Sequence, residues 1–159
     1  MNLPRPVRLS LLCVHVLTSV AWLGAIVAFL VFAMKGRSAF DAAELAMCAT
    51  ALQWLGWWLV VPLCFAAFAS GIVQSVISGW GLIQHYWVLI KLLAMIFATV
   101  LLMVHMKIVD ELGRTPLVPG TAASLFSSLA FDAALATLLG VILTAFSIFK
   151  PPGRIFDRS

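Results

Sequence analysis

Residues His85–Lys107 read HYWVLIKLLAMIFATVLLMVHMK, an apolar run long enough to cross a bilayer that carries two ionisable groups inside it. Lys91 lies six residues in from His85, and His105 lies fourteen beyond Lys91. Fourteen residues of α-helix make just under four turns, so Lys91, Ala98 and His105 share one stripe roughly 20 Å long. A lysine at the centre of a spanning helix costs about 2.5–3.5 kcal/mol on insertion scales. It therefore faces protein or a water-filled cavity and has a partner there.

Three more apolar runs surround this one. They cover residues 9–34, 46–77 and 121–149, and the quoted run extends as a helix over 86–109. Each exceeds the about 20 residues that span hydrocarbon, and a chain inside lipid must satisfy its own backbone groups, so each is expected to be a helix. The reading is all-α: a polytopic membrane protein built as a four-helix transmembrane bundle over residues 1–159. Composition agrees. Of 159 residues 64% are hydrophobic and 10% charged, against about 25% charged in soluble domains. The 46–77 and 121–149 runs are long for straight crossings, which tilt or an interfacial first turn would absorb. Pro62 is expected to kink the second run. The first run is far longer than the about 7–15 apolar residues of a secretory signal peptide and is expected to be retained.

The net charge of +4 is spread over loops and tails. That distribution suits anionic lipid headgroups and gives no clustered basic face for nucleic acid. Cys13, Cys48 and Cys64 form no CxxC, which argues against a disulfide framework or zinc knuckle. Gly-rich phosphate loops, HExxH and GxSxG are absent, and no catalytic residue is assigned.

Arg5, Arg8, Lys150, Arg154 and Arg158 flank the ends of the chain, while Lys35, Arg37, Lys107 and Arg114 flank the loops after the first and third runs. Five positive charges against four place both termini in the cytoplasm. His15, about 9 Å below the inner boundary, then matches Lys91 in depth. Gln74, near the inner end of run two, joins them in one polar layer. Ser19 and Trp22 lie along the same face of run one as His15. Interhelical hydrogen bonding alone accounts for a lone His15 or Ser19, but the matched depth of His15 and Lys91 favours a shared site. Ala67, Ser70 and Gly71 read as a packing surface that lets backbones approach.

The outer layer differs. Met34, Met47, Cys48, Met103, His105 and Met106 sit near the extracytoplasmic helix ends, and thioether and imidazole suit Cu(I). Methionine also fills apolar helices, and His105 points about 100° away from Met106, which favours packing.

HVLTSVAWLGAIVAFL in run one and HYWVLIKLLAMIFATVLLMVHM in run three resemble a family of small bacterial integral membrane proteins related to the membrane domain of copper resistance protein D. More distantly they are similar to the haem-containing four-helix protoporphyrinogen oxidase. In those relatives a His precedes a Trp-Leu-Gly step in the first helix and a Lys opens a later one, as His15, Trp22-Leu23-Gly24 and Lys91 do here. The resemblance covers about half the chain. It implies a bacterial inner-membrane location and haem b or copper, with His15 as the axial ligand.

Three function classes follow. One is a cofactor-binding protein, using His15, Lys91, Gln74, Trp22 and Ser19. The second handles copper or a small ion through His105, Met103 and Met106. The third is a non-catalytic subunit that assembles with a second copy or a membrane partner. His15 and His105 lie in opposite leaflets and cannot share one haem; His15 and His85 differ by roughly 9 Å in depth. Haem would therefore take a single His or lie between two copies.

Reporter fusions test the topology. Fusions at both termini should read cytoplasmic, and fusions within Gly36–Ala42 or Leu112–Gly120 extracytoplasmic. Termini on opposite sides would sink the four-span arrangement.

Overall fold

A computed structural model describes residues 3–77, 85–114 and 119–149, with the side chains of residues 119–121 left aside. Its elements are α1 (Arg5–Arg37), α2 (Ala42–Leu55), a π-helical turn (Gly56–Val60), α3 (Val61–Ile77), α4 (Tyr86–Leu112) and α5 (Pro119–Phe149). The segment α2–π turn–α3 is one continuous helix, so four helices are long and apolar enough to cross a membrane. This is the all-α four-helix transmembrane bundle expected from the sequence. Each helix runs a few residues past the expected boundaries, because the polar residues that end an apolar run can still continue a helix outside hydrocarbon.

The connection between α1 and α2 shows how such an end is made. Asp41 accepts from the Glu44 backbone N–H at 2.7 Å, a helix N-cap. Glu44 reaches back to the Phe40 N–H at 3.1 Å and pairs with Lys35 at the end of α1. Gln53, three turns further along, donates to the Val109 carbonyl near the end of α4. The first half of this helix is thus held to α1 at its start and to α4 near its end.

The ladder changes at Gly56–Val60, where the Val61 N–H bonds the Gly56 carbonyl five residues back. Pro62 lacks an N–H and cannot continue the ordinary ladder. A π turn stands just ahead of Pro62, at the place where the sequence led us to expect a kink.

The packed core lies toward the loop end. Trp22 to Ala33 of α1, Leu45 to Leu52 of α2, Met106 to Leu112 of α4 and Ala122 to Ala133 of α5 supply nearly all of its buried residues. Toward the termini the packing opens. Among the described residues of α1 none before Trp22 is buried, and α3 buries none beyond Ala67. Helices in lipid associate by close van der Waals contact through small residues, and α1 meets α5 in this way. The Phe126 ring, fully buried, lies over Gly36, where a β-carbon would come within 2.2 Å of it.

Gly36→Ala should therefore lower stability in detergent by about 1–3 kcal/mol through overpacking, and Phe126→Leu should recover part of the loss. Gly24→Ala, with nothing within 4 Å of the new methyl, should be neutral or stabilising by up to about 1 kcal/mol. Equal thermal unfolding of the two alanine variants would refute this account of the α1–α5 contact.

Candidate functional site

The polar groups of α4 are met by α5. Lys91 Nζ donates to Ser147 Oγ at 2.5 Å and stands 5.8 Å from the centre of the Trp87 ring. His105 Nε2 lies 2.6 Å from Asp132 Oδ2. Partners fourteen residues apart on α4 are matched by partners fifteen apart on α5, as antiparallel neighbours require. The stripe Lys91–Ala98–His105 thus faces α5 and is fastened at both ends.

The layer near the termini is assembled around His15. Its Nδ1 lies 3.1 Å from Ser70 Oγ, and Ser70 Oγ also reaches the Ala67 carbonyl at 3.1 Å and Thr18 Oγ1 at 3.3 Å. The Thr18 hydroxyl is turned to the carbonyls of Val14 and His15. With the single Ser70 proton given to Ala67, the hydrogen bond to His15 needs the proton on Nδ1, which leaves the lone pair on Nε2. Gly71 seats the ring: a β-carbon there would stand 3.1 Å from Cε1. Ser19 bonds the His15 carbonyl at 2.7 Å and so lies against its own helix.

Contacts of α1 with α5 give the depth. Gly36 against Phe126 and Leu23 against Gly140 set an antiparallel register that puts Ser147 level with His15. Lys91, bonded to Ser147, is thereby brought to the level of the His15 ring. His15 and Lys91 therefore share a level, but they touch different partners: His15 sits in the α1–α3 seam and Lys91 in the α4–α5 seam. Two buried polar atoms of the sequence-derived set, Gln74 Oε1 and Trp22 Nε1, have no hydrogen-bond partner among the described residues. Lys91 makes no ion pair with a carboxylate among them.

At the loop end the metal candidates face different ways. His105 Nδ1 lies 2.8 Å from the Leu101 carbonyl, which can only accept, so Nδ1 carries a proton. Its Nε2 faces the Asp132 carboxylate. Both ring nitrogens are thereby engaged. Met106 is buried against Gly56, while Met103 lines a shallow surface groove with Thr99, Val100, Val104 and Lys107. Among the described residues, no group of three or more His, Cys, Asp or Glu is placed to hold a metal.

Sequence reasoning missed the pairing of His105 with Asp132 and the role of Ser147. The signal was present in the matched spacing on adjacent antiparallel runs. If the His105–Asp132 pair fastens α4, a double-mutant cycle with His105→Leu and Asp132→Leu should give a coupling of about 0.6–2 kcal/mol in detergent unfolding. A coupling of zero would reduce the pair to two independent surface groups. Comparisons with protein-family models, with curated proteins and with solved structures gave no match.

Proposed function

We propose that this integral membrane protein binds an acid-bearing cofactor at the His15–Gln74–Lys91 layer, haem b being the favoured one, in a bacterial inner membrane with both termini cytoplasmic. The observation that carries the reading is Lys91. It is an ammonium in a spanning helix whose partners are a neutral hydroxyl and an aromatic face, with no carboxylate paired to it among the described residues. An intramembrane cation is costly until its charge is compensated, and a cofactor carboxylate supplies that compensation best.

The donor set fits such a group. His15, held at Nδ1 against Ser70 with its Nε2 bonded to no partner among the described residues, would suit a metal-binding imidazole held by a second hydrogen bond. Gln74 Oε1 and Trp22 Nε1 offer further polar contacts. The layer also lies in the loosely packed half, where α1 and α3 bury little and can part at low cost. When bound, haem would supply a redox-active iron, which the His15 imidazole would hold while Lys91 would pair with the acid group.

The test is the absorption spectrum of protein purified in mild detergent after expression with haem supplied. A Soret band should persist through purification. Lys91→Met and His15→Ala should each fold and lower haem occupancy at least tenfold, while His105→Leu should leave it unchanged. Absence of the band overturns the haem reading. Retained copper that is lost on substituting His105 and Met106 would then move the function to the other layer, and a protein holding neither is a membrane assembly subunit.

A further inference from the structure

The π turn presents a surface that the polar layer near the termini does not use. Trp54, Trp57 and Trp58 lie three and four residues apart, on one face of the α2–π turn junction. The rings of Trp54 and Trp58 stack at 6.0 Å between centroids and 20° between planes. With Gln53 the three indoles line a shallow, open groove. They remain 62%, 44% and 68% exposed, respectively.

A carboxylate lies beside one of these indoles. Trp57 Nε1 donates to Asp110 Oδ1 at 2.8 Å. An indole N–H leaves the negative charge of the carboxylate intact and its remaining lone pairs open. Asp110 makes no ion pair among the described residues, although Lys107 and Arg114 lie one turn either side of it on the chain. The connection 115–121, TPLVPGT, carries no charge. Asp110 is two residues from the end of α4, so the groove opens where a spanning helix leaves the hydrocarbon.

We infer that the groove formed by Trp54, Trp57 and Trp58 beside Asp110 binds a small organic cation of the alkylammonium or quaternary ammonium class. Indole faces attract such cations through the ring quadrupole, tryptophan most strongly. A cation with methyl or methylene groups also covers apolar ring surface that a hydrated metal ion leaves wet. The carboxylate adds the charge complement that an ordinary interfacial belt of tryptophans lacks. The π turn contributes by displacing one turn of the ladder, so that Trp57 reaches α4 while Trp54 and Trp58 stack. The same chemistry is offered by a free solute and by a choline-type lipid headgroup.

The test is tryptophan fluorescence of the full chain in phosphatidylglycerol nanodiscs, titrated with tetramethylammonium chloride against sodium chloride at equal ionic strength. A saturable change specific to tetramethylammonium is expected. Asp110→Asn keeps an acceptor for Trp57 but removes the charge, and it should weaken binding at least tenfold. Trp58→Leu should do the same, and Trp87→Phe should leave the midpoint unchanged. Repeating the titration in phosphatidylcholine nanodiscs assigns the source. Loss of the response there marks a lipid headgroup already in the groove, and an unchanged response marks a free solute. No saturable change in phosphatidylglycerol, or an Asp110→Asn titration equal to that of the parent, overturns the inference and leaves the indoles as membrane anchors.

Discussion

Lipid offers no hydrogen-bond partner to an ammonium or an imidazole, and the placement of α4 follows from that constraint. The helix is largely apolar and lightly buried, with few large side chains locked into neighbours. Lys91–Ser147 and His105–Asp132 instead fasten it to α5 at two levels. Turning the helix by half a rotation would present both polar groups to hydrocarbon, where a charged side chain at the helix centre costs about 2.5–3.5 kcal/mol on insertion scales. The two contacts therefore set the facing of α4 with a sharpness that its apolar surface cannot supply, since lipid tails and leucines solvate that surface equally well.

Most of the architecture was legible for the same reason. Four apolar runs longer than the hydrocarbon core leave a chain no choice but four helices, and the stripe Lys91–His105 announced that one face of α4 needed partners. The identity of those partners was less legible. Lys91 and His15 do share a level, yet equal depth in a bundle does not imply contact, because each helix has two neighbours and the sequence does not say which. Ser147 was an ordinary residue of run four, and which residue Asp132 would pair with was not known until the antiparallel register was. Gly71, grouped with small packing residues, proves to be what seats the His15 ring.

The bundle divides into halves of different character. At the loop end Gly36, Phe126, Leu45, Leu52 and Leu112 interlock, and the Asp41–Glu44–Lys35 contacts hold the first turn of α2. At the end that holds the termini, polar side chains occupy the seams and little is buried. Close packing tolerates few alternative arrangements, whereas a seam filled by serine, threonine and histidine can exchange partners. Chemistry that requires helices to part belongs in the second half, where the conformational cost is smaller.

The π turn at Gly56–Val60 has a consequence for chain length. Removing one residue from an ordinary helix rotates everything beyond it by about 100°. Anywhere else in Ala42–Ile77, such a loss would swing Ser70 and Gly71 away from His15 or Leu45 and Leu52 out of the core. A π turn already accommodates one residue in excess of the α-helical repeat. Losing that residue returns the turn to α-helix and leaves both flanking faces directed as before. Length and facing are uncoupled at this turn, so it is the natural point at which relatives of this chain would differ by a single residue in the second spanning helix.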